Sequence, residues 1–201
     1  MNKTFRLLGE RLLVEHVKQK QGSIIVPQGA GHDMHRLGRV VAIADGKRPG
    51  QKDINIFLKV GDIVFFQTNA MIQAHQAYEV EKGKLLLNLL QGEIIAKINT
   101  TAQEPEITLK NFQAVGDWVL VRPYMKEASS TIILPENAQR EQHAIYYKVE
   151  QLGHTVDLPI KVGEEICITH GRCQPINVGK NDLGYLHKND VHGTVEDALV
   201  P

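Results

Sequence analysis

The sequence predicts an all-β protein built as two tandem small irregular β-barrels, each with a mobile loop. Three observations predict it. Apolar residues recur in short runs with a period near two, broken by glycine-containing turns, and no segment offers an amphipathic helix of three turns. The chain repeats itself, so that residues 5–15 are answered by 112–122, 58–64 by 160–166, and 92–98 by 189–195. Hydrophobic residues make up 42% of the 201 but aromatics only 5%, so any core must be assembled from valine, isoleucine and leucine.

Taken in order, the first unit opens with Phe5-Arg6-Leu7-Leu8, then Gly9-Glu10 and the aliphatic strand Arg11-Leu12-Leu13-Val14-Glu15. Its counterpart runs Phe112-Gln113-Ala114-Val115, Gly116-Asp117 and Trp118-Val119-Leu120-Val121-Arg122. Gly38-Arg39-Val40-Val41-Ala42-Ile43 is β-branched and ends in the turn signal Asp45-Gly46. Lys59-Val60-Gly61-Asp62 and Lys161-Val162-Gly163-Glu164 read as tight turns that feed a further strand. The expected division is a first domain over 1–98, a linker over 99–111 and a second domain over 112–201. The second copy is the shorter, with its deletion falling after its loop, where hairpins and surface turns absorb length changes.

Each unit carries the same odd object. Gly22-Ser23-Ile24-Ile25-Val26-Pro27 sits between Lys18-Gln19-Lys20-Gln21 and Gln28-Gly29-Ala30-Gly31. Thr131-Ile132-Ile133-Leu134-Pro135 is likewise preceded and followed by polar residues. Three aliphatics in a polar, glycine-rich setting have no apolar neighbours to form a core strand with. They read either as a short strand returning to the body or as a docking segment that enters a partner's groove. The duplication favours docking. The polar stretch 47–56, with Arg48, Pro49, Gly50 and Lys52, reads as a basic hairpin tip, either an ordinary solvated turn or a projection that contacts neighbouring subunits, and the matching region near Gly153 is shorter and less basic.

Composition excludes several classes. Lysine plus arginine equals aspartate plus glutamate at 23 each, which argues against a broad nucleic-acid surface. No apolar run approaches membrane-spanning length, and no apolar segment of signal-peptide type follows Met1-Asn2-Lys3, so a cytoplasmic setting is expected. Two cysteines make no disulfide framework. Cys167, His170 and Cys173 would suit zinc by residue type but lack a fourth ligand, and His32 and His35 lie in a glycine-rich stretch; no bound metal is expected. There is no phosphate-binding glycine loop followed by Lys-Ser or Lys-Thr, no dinucleotide-binding glycine spacing and no nucleophile motif. The chain is not expected to be an enzyme or to hold a cofactor.

At this point the ordered motifs carry a resemblance. Gly9-Glu10-Arg11-Leu12-Leu13-Val14, Gly22-Ser23-Ile24-Ile25-Val26-Pro27, Gly38-Arg39-Val40-Val41-Ala42-Ile43, Lys59-Val60-Gly61-Asp62-Ile63-Val64 and Glu93-Ile94-Ile95-Ala96 resemble the GroES-type co-chaperonins. The likeness covers about residues 4–98, with a degenerate version over 111–196. It implies GroES-like barrels, a homo-oligomeric ring, and ATP-dependent capping of a GroEL-type chaperonin over a non-native polypeptide, with ATP bound by the partner. The chaperonin-binding role would fall to Ile24, Ile25 and Val26 and to Ile132, Ile133 and Leu134, and the roof over the chamber to Arg48, Pro49, Gly50 and Lys52. Neither nucleic acid nor membrane is implied as a partner. The cytoplasm would be bacterial or that of an infected host, with a plastid form also open. The second unit departs from the pattern: Ala144 stands where Gly38 is expected, and Gly193 stands where Ile95 or Ala96 would pack. A non-catalytic structural or adaptor protein that reuses such barrels is the alternative.

Overall fold

The computed structural model describes residues 7–17, 35–47, 50, 52–67, 77–81, 84–125 and 145–195. These residues form thirteen strands and two 3-10 turns. Among them no helix is long and apolar enough to cross a membrane. In the first repeat β1 (Arg11–His16), β2 (His35–Ile43), β3 (Ile63–Gln67), β4 (Ala77–Glu81), β5 (Lys84–Leu90) and β6 (Ile94–Ile98) join one sheet. In the second, β8 (Trp118–Met125), β9 (Ile145–Leu152), β10 (Glu165–Ile168), β11 (Gln174–Val178), β12 (Asn181–His187) and β13 (Val191–Thr194) form another. The short β7 (Phe112–Ala114) belongs by sequence to the second repeat, yet pairs with β6 at the edge of the first sheet.

The all-β expectation holds, but the expectation of two small irregular β-barrels is overturned, because neither sheet closes. The first sheet is open in the order β4-β5-β1-β2-β3-β6-β7 and the second in the order β11-β12-β8-β9-β10-β13. Closing a sheet requires its two outermost strands to pair. In the first sheet the outer edge of β6 is already taken by β7, in the register Ala96↔Ala114, Lys97↔Gln113 and Ile98↔Phe112. In the second, among the described residues, β13 pairs only with β10 and β11 only with β12.

Local chemistry makes the repeats alike down to their irregularities. Alternation in β1 and β8 turns Leu12 and Val14, or Val119 and Val121, into fully buried core residues. A bulge interrupts β1–β2 between Leu13 and Val14 and β8–β9 between Leu120 and Val121. A second bulge leaves Ile95 unopposed in β6 and His192 unopposed in β13. The bulged registers also correct the expected place of the second unit's departure. His16 faces Gly38, whereas Pro123 faces Tyr147, so Tyr147 and not Ala144 answers Gly38. At Gly38 a Cβ would collide with Val14 Cγ1, which is why that position is a glycine.

The lysine-valine-glycine turns are also built twice. Gly61 and Gly163 adopt φ of 94° and 92°, the left-handed backbone that a side chain resists. Asp62 Oδ2 accepts from the Lys59 amide and Glu164 Oε2 from the Lys161 amide, both at 2.9 Å. Each turn therefore has its acid fixed by the turn itself rather than by a ligand.

Among the described residues three apolar clusters form. One lies within the second sheet, around Val119, Val121, Val149, Ile166 and Leu186. Another lies within the first, around Leu12, Val14, Val40, Val64, Phe66 and Ile94, and takes in Val115 from the second repeat. The largest is shared: Phe65, Ile95 and Ile98 of the first repeat meet Phe112, Leu120, Ile176 and Tyr185 of the second. Residues 99–111, read from their polarity as a linker, supply Ile107 to that shared core, fully buried. Asn111 shapes this segment by accepting from the Thr108 amide at 2.8 Å and donating to the Glu106 carbonyl at 2.8 Å.

Candidate functional site

In sequence, each of the two aliphatic triplets falls between two strands that pair with one another. In the first repeat β1 and β2 run to the pair His16↔Gly38, and beyond it the Val17 amide donates to the Leu37 carbonyl at 2.9 Å. In the second, β8 and β9 continue to Met125↔Ile145, with the Tyr124 and Tyr146 rings 5.8 Å apart beside that last pair. Antiparallel pairing fixes where both ends of each segment emerge. Ile24, Ile25, Val26, Ile132, Ile133 and Leu134 themselves lie outside the described residues, as does His32. Arg122 ties the second root together, its guanidinium paired with Glu150 across the bulge.

The segment after β2 is described in part. Arg48 and Pro49 lie outside the described residues; Gly50 has a φ of 74°, and both Gly50 and Lys52 are exposed. Among the described residues from Ala44 to Asp62 there is no strand. The segment is instead pinned at its base. The Gly46 amide donates to the Gly9 carbonyl at 3.1 Å, the Gly9 amide to the Lys47 carbonyl at 3.1 Å, and the Ile54 amide to the Gly46 carbonyl at 2.9 Å. Gly46 has no room for a side chain, because a Cβ would run into the Ile54 carbonyl.

A single residue in the 3-10 turn Gln91–Glu93 then holds the far side of this segment. Buried Gln91 accepts from the Phe57 amide through Oε1 and donates through Nε2 to the Asn55 carbonyl, both at 3.0 Å. In the second repeat Lys188, first residue of the turn Lys188–Asp190, occupies the equivalent place. Its Nζ donates to the Thr155 carbonyl at 3.2 Å and to Asp157 Oδ1 at 2.9 Å, and lies 3.2 Å from Asp117 Oδ1. Burial alone would push the Asp117 carboxyl up, but the Thr155 hydroxyl, Lys188 and His187 outweigh it and hold the carboxyl below its ordinary value. The hydrogen bond from Lys188 likewise lowers Asp157, and the two acids raise Lys188. Sequence reasoning missed this pair of clamps because glutamine and lysine look unrelated; their equal place in the repeat was the available signal.

Among the described residues, Cys167, His170 and Cys173 do not assemble a metal site. Cys167 is exposed on β10, while Cys173 is half-buried and packs against the second sheet's cluster beside Gly184. Burial pushes the Cys173 thiol up to about 11, so it is a neutral packing group and not a ready ligand. Among the described residues no group of three or more histidine, cysteine, aspartate or glutamate side chains is placed to hold a metal ion.

The two repeats meet in a built joint. The Val115 amide donates to the Ile95 carbonyl at 3.0 Å, and Trp118 Nε1 donates to the Gly92 carbonyl at 3.0 Å. Gln151 closes the gap between β7 and β9: it accepts from the Ala114 amide at 2.9 Å and donates to the Phe112 carbonyl at 2.8 Å. Phe57 of the first repeat meets the His154 ring of the second edge-on at 4.3 Å.

The family model described as Chaperonin 10 Kd subunit matches this chain twice, over residues 4–98 and again over residues 111–195. No curated protein matches it.

Proposed function

The chain belongs to the chaperonin 10 family as a tandem GroES-type co-chaperonin, and we propose that it caps a GroEL-type ring when that ring has bound ATP. Membership makes it a non-catalytic protein-folding chaperone whose partner is a GroEL-type chaperonin. The family's usual compartment is the cytoplasm. In the proposed cycle Ile24, Ile25 and Val26 enter an apolar groove of the partner, and Ile132, Ile133 and Leu134 do so from the second repeat. The chamber closes over a non-native polypeptide, and no covalent step occurs in the co-chaperonin.

The observation that carries this reading is the doubled placement of an aliphatic triplet between strands whose roots are pinned at matching positions. Each buried aliphatic side chain contributes about 1.5–3 kcal/mol, while fixing a residue costs about 1–2 kcal/mol of backbone entropy. One triplet therefore binds weakly, and Pro27 and Pro135 help by narrowing the unbound ensemble. Several chains in a homo-oligomeric ring turn every contact after the first into an intramolecular one. Weak individual grips also release together when the partner changes state. Residues 48–52 would then lie over the chamber, and the two repeats, divided at 1–98 and 112–201, would share the capping unequally.

Native mass measurement of the chain mixed with a GroEL-type ring tests the proposal. A complex that forms with ATP and dissociates without it is the expected result. No complex under either condition overturns it, and a complex indifferent to nucleotide favours the adaptor reading.

A further inference from the structure

The turns that precede β3 and β10 hold an apolar side chain in solvent at the same place in both repeats. Val60 is 64% exposed and Val162 63%, each within a run of lysine, valine, glycine and an acid. The turn uses only part of that run. Its glycine takes the left-handed backbone, its acid accepts from the lysine amide, and the amide of Asp62 or Glu164 donates to the carbonyl of Lys59 or Lys161 at 3.1 Å. Neither the valine side chain nor the lysine ammonium has a part in it. One valine left in water is ordinary surface. The same valine at both turns, although the flanking residues differ (Leu58 against Ile160, Ile63 against Glu165), points to a partner.

Charge is arranged around each tip. Lys59 and Lys161 precede the valines and are exposed. From the neighbouring strand Arg39 Nη1 lies 3.5 Å from the Gly61 carbonyl, and Lys148 Cε lies 4.0 Å from where a Cβ on Gly163 would stand. Across the ladders Glu15 faces Arg39 and Glu165 faces Lys148, and Asp62 is paired with Lys97 at 2.8 Å. The surplus charge at the first tip is therefore that of Lys59. Thr194 stands where Lys97 does, which leaves the second tip nearer neutral.

Both tips hang from the strands that lead to the triplets. The Gly61 amide donates to the Val40 carbonyl at 2.8 Å and the Val40 amide to the Asp62 carbonyl at 2.9 Å; Gly163, Val149 and Glu164 repeat this at 2.8 and 2.9 Å. Val40 and Val149 stand three residues from Leu37 and Tyr146 at the strand roots, about 10 Å along the strand. A partner the size of a chaperonin subunit that meets the residues beyond those roots is also within reach of the tips.

We propose that Val60 and Val162 make a second, rigid contact with the GroEL-type ring, each entering a shallow apolar spot whose rim is acidic where it meets Lys59. This rests on the capping reading above and deepens it. The triplets supply the grip, and the turns, already ordered, add contact at little entropic cost. The first contact is the one that salt weakens.

Photo-crosslinking from position 60 or 162 of the full chain, mixed with an ATP-loaded GroEL-type ring and a non-native polypeptide, reads the contact directly. A crosslink to the ring subunit is expected from both positions. Crosslinks only to another copy of the chain, or only to the polypeptide, overturn the inference. Val60→Asp should weaken ATP-dependent complex formation about tenfold or more with unchanged thermal unfolding, and Val60→Leu should bind like the parent. Lys59→Glu should weaken binding at low salt and lose its effect at high salt, with Lys161→Glu the milder of the two. A chain carrying both Val60→Asp and Val162→Asp that binds like the parent overturns this contact and leaves capping intact. A parent that forms no ATP-dependent complex overturns capping itself, and this contact with it.

Discussion

At one equivalent point in each repeat a single residue holds a segment to a 3-10 turn, and the two repeats do it with opposite chemistry. Gln91 is buried and neutral and uses both ends of its amide. Lys188 sits near the surface and uses its charge, shared between Asp117 and Asp157. Both reach a backbone carbonyl, of Asn55 or of Thr155. A duplicated fold thus keeps the geometric task and exchanges the interaction that performs it. The first repeat's clamp is insulated from the solvent and the second's answers to it.

The strongest test of this comparison uses the position where the repeats differ in size. The Ala44 amide donates to the Arg11 carbonyl, and its counterpart Gly153 donates to the Trp118 carbonyl, both at 2.9 Å. At Gly153 a Cβ would run into the backbone of Val115 and Gly116, which the joint presses against it. Gly153→Ala should cost about 3 kcal/mol in urea unfolding, because backbone cannot step aside as a side chain can. The reverse exchange, Ala44→Gly, should cost only about 1 kcal/mol. Equal costs would mean that the joint does not press on the second repeat.

The clamps give the next effect in size. Gln91→Ala removes the partner of the half-buried Phe57 amide and should destabilise by about 1–2 kcal/mol, independently of salt. Lys188→Ala should do less, and its effect should shrink as salt is raised. The pH response separates the two further. Asp117 and Asp157 have folded values below the ordinary 3.8, so their contribution is complete above that value and is lost as pH falls through the lowered folded values. Lys188 lies above its ordinary 10.5, so its contribution is complete below that value and is lost as pH rises through the raised one. Hydrogen-exchange protection at residues 155–157 should fall in acid while that at 54–57 persists. Parallel loss in both segments would contradict the contrast.

Much of the fold could be read from residues. Short alternating aliphatic runs such as β1 and β8 announced strands, and the doubled Gly-acid and Lys-Val-Gly signals announced the repeat. Strand pairing was not legible, because a period of two says which face a residue takes and nothing about which edge it joins. Phe112-Gln113-Ala114 therefore read as the start of the second unit, although it completes the first sheet, and that pairing is what removes closure. Polarity hid Ile107 in the same way: two large aliphatics, Ile107 and Leu109, among thirteen linker residues are too few to set a period, yet Ile107 is fully buried and Leu109 packs on the same cluster. Ala144 was matched to Gly38 by its place in the sequence; strand pairing, His16↔Gly38 against Pro123↔Tyr147, is what identifies Tyr147, and pairing is not written in residue order. The aliphatic triplets are the reverse case. They are plain in the sequence because composition marks them, and they lie outside the described residues.

The measurement closest to the central claim replaces one residue in each triplet and follows complex formation with an ATP-loaded GroEL-type ring. Ile25→Asp should leave the sheets folded, by circular dichroism and the single tryptophan's fluorescence, and should weaken capping about tenfold or more, since every chain loses a grip at once. Ile133→Asp reports the second repeat's share, expected to be the smaller. Undiminished ATP-dependent binding by a chain carrying both substitutions would contradict the account.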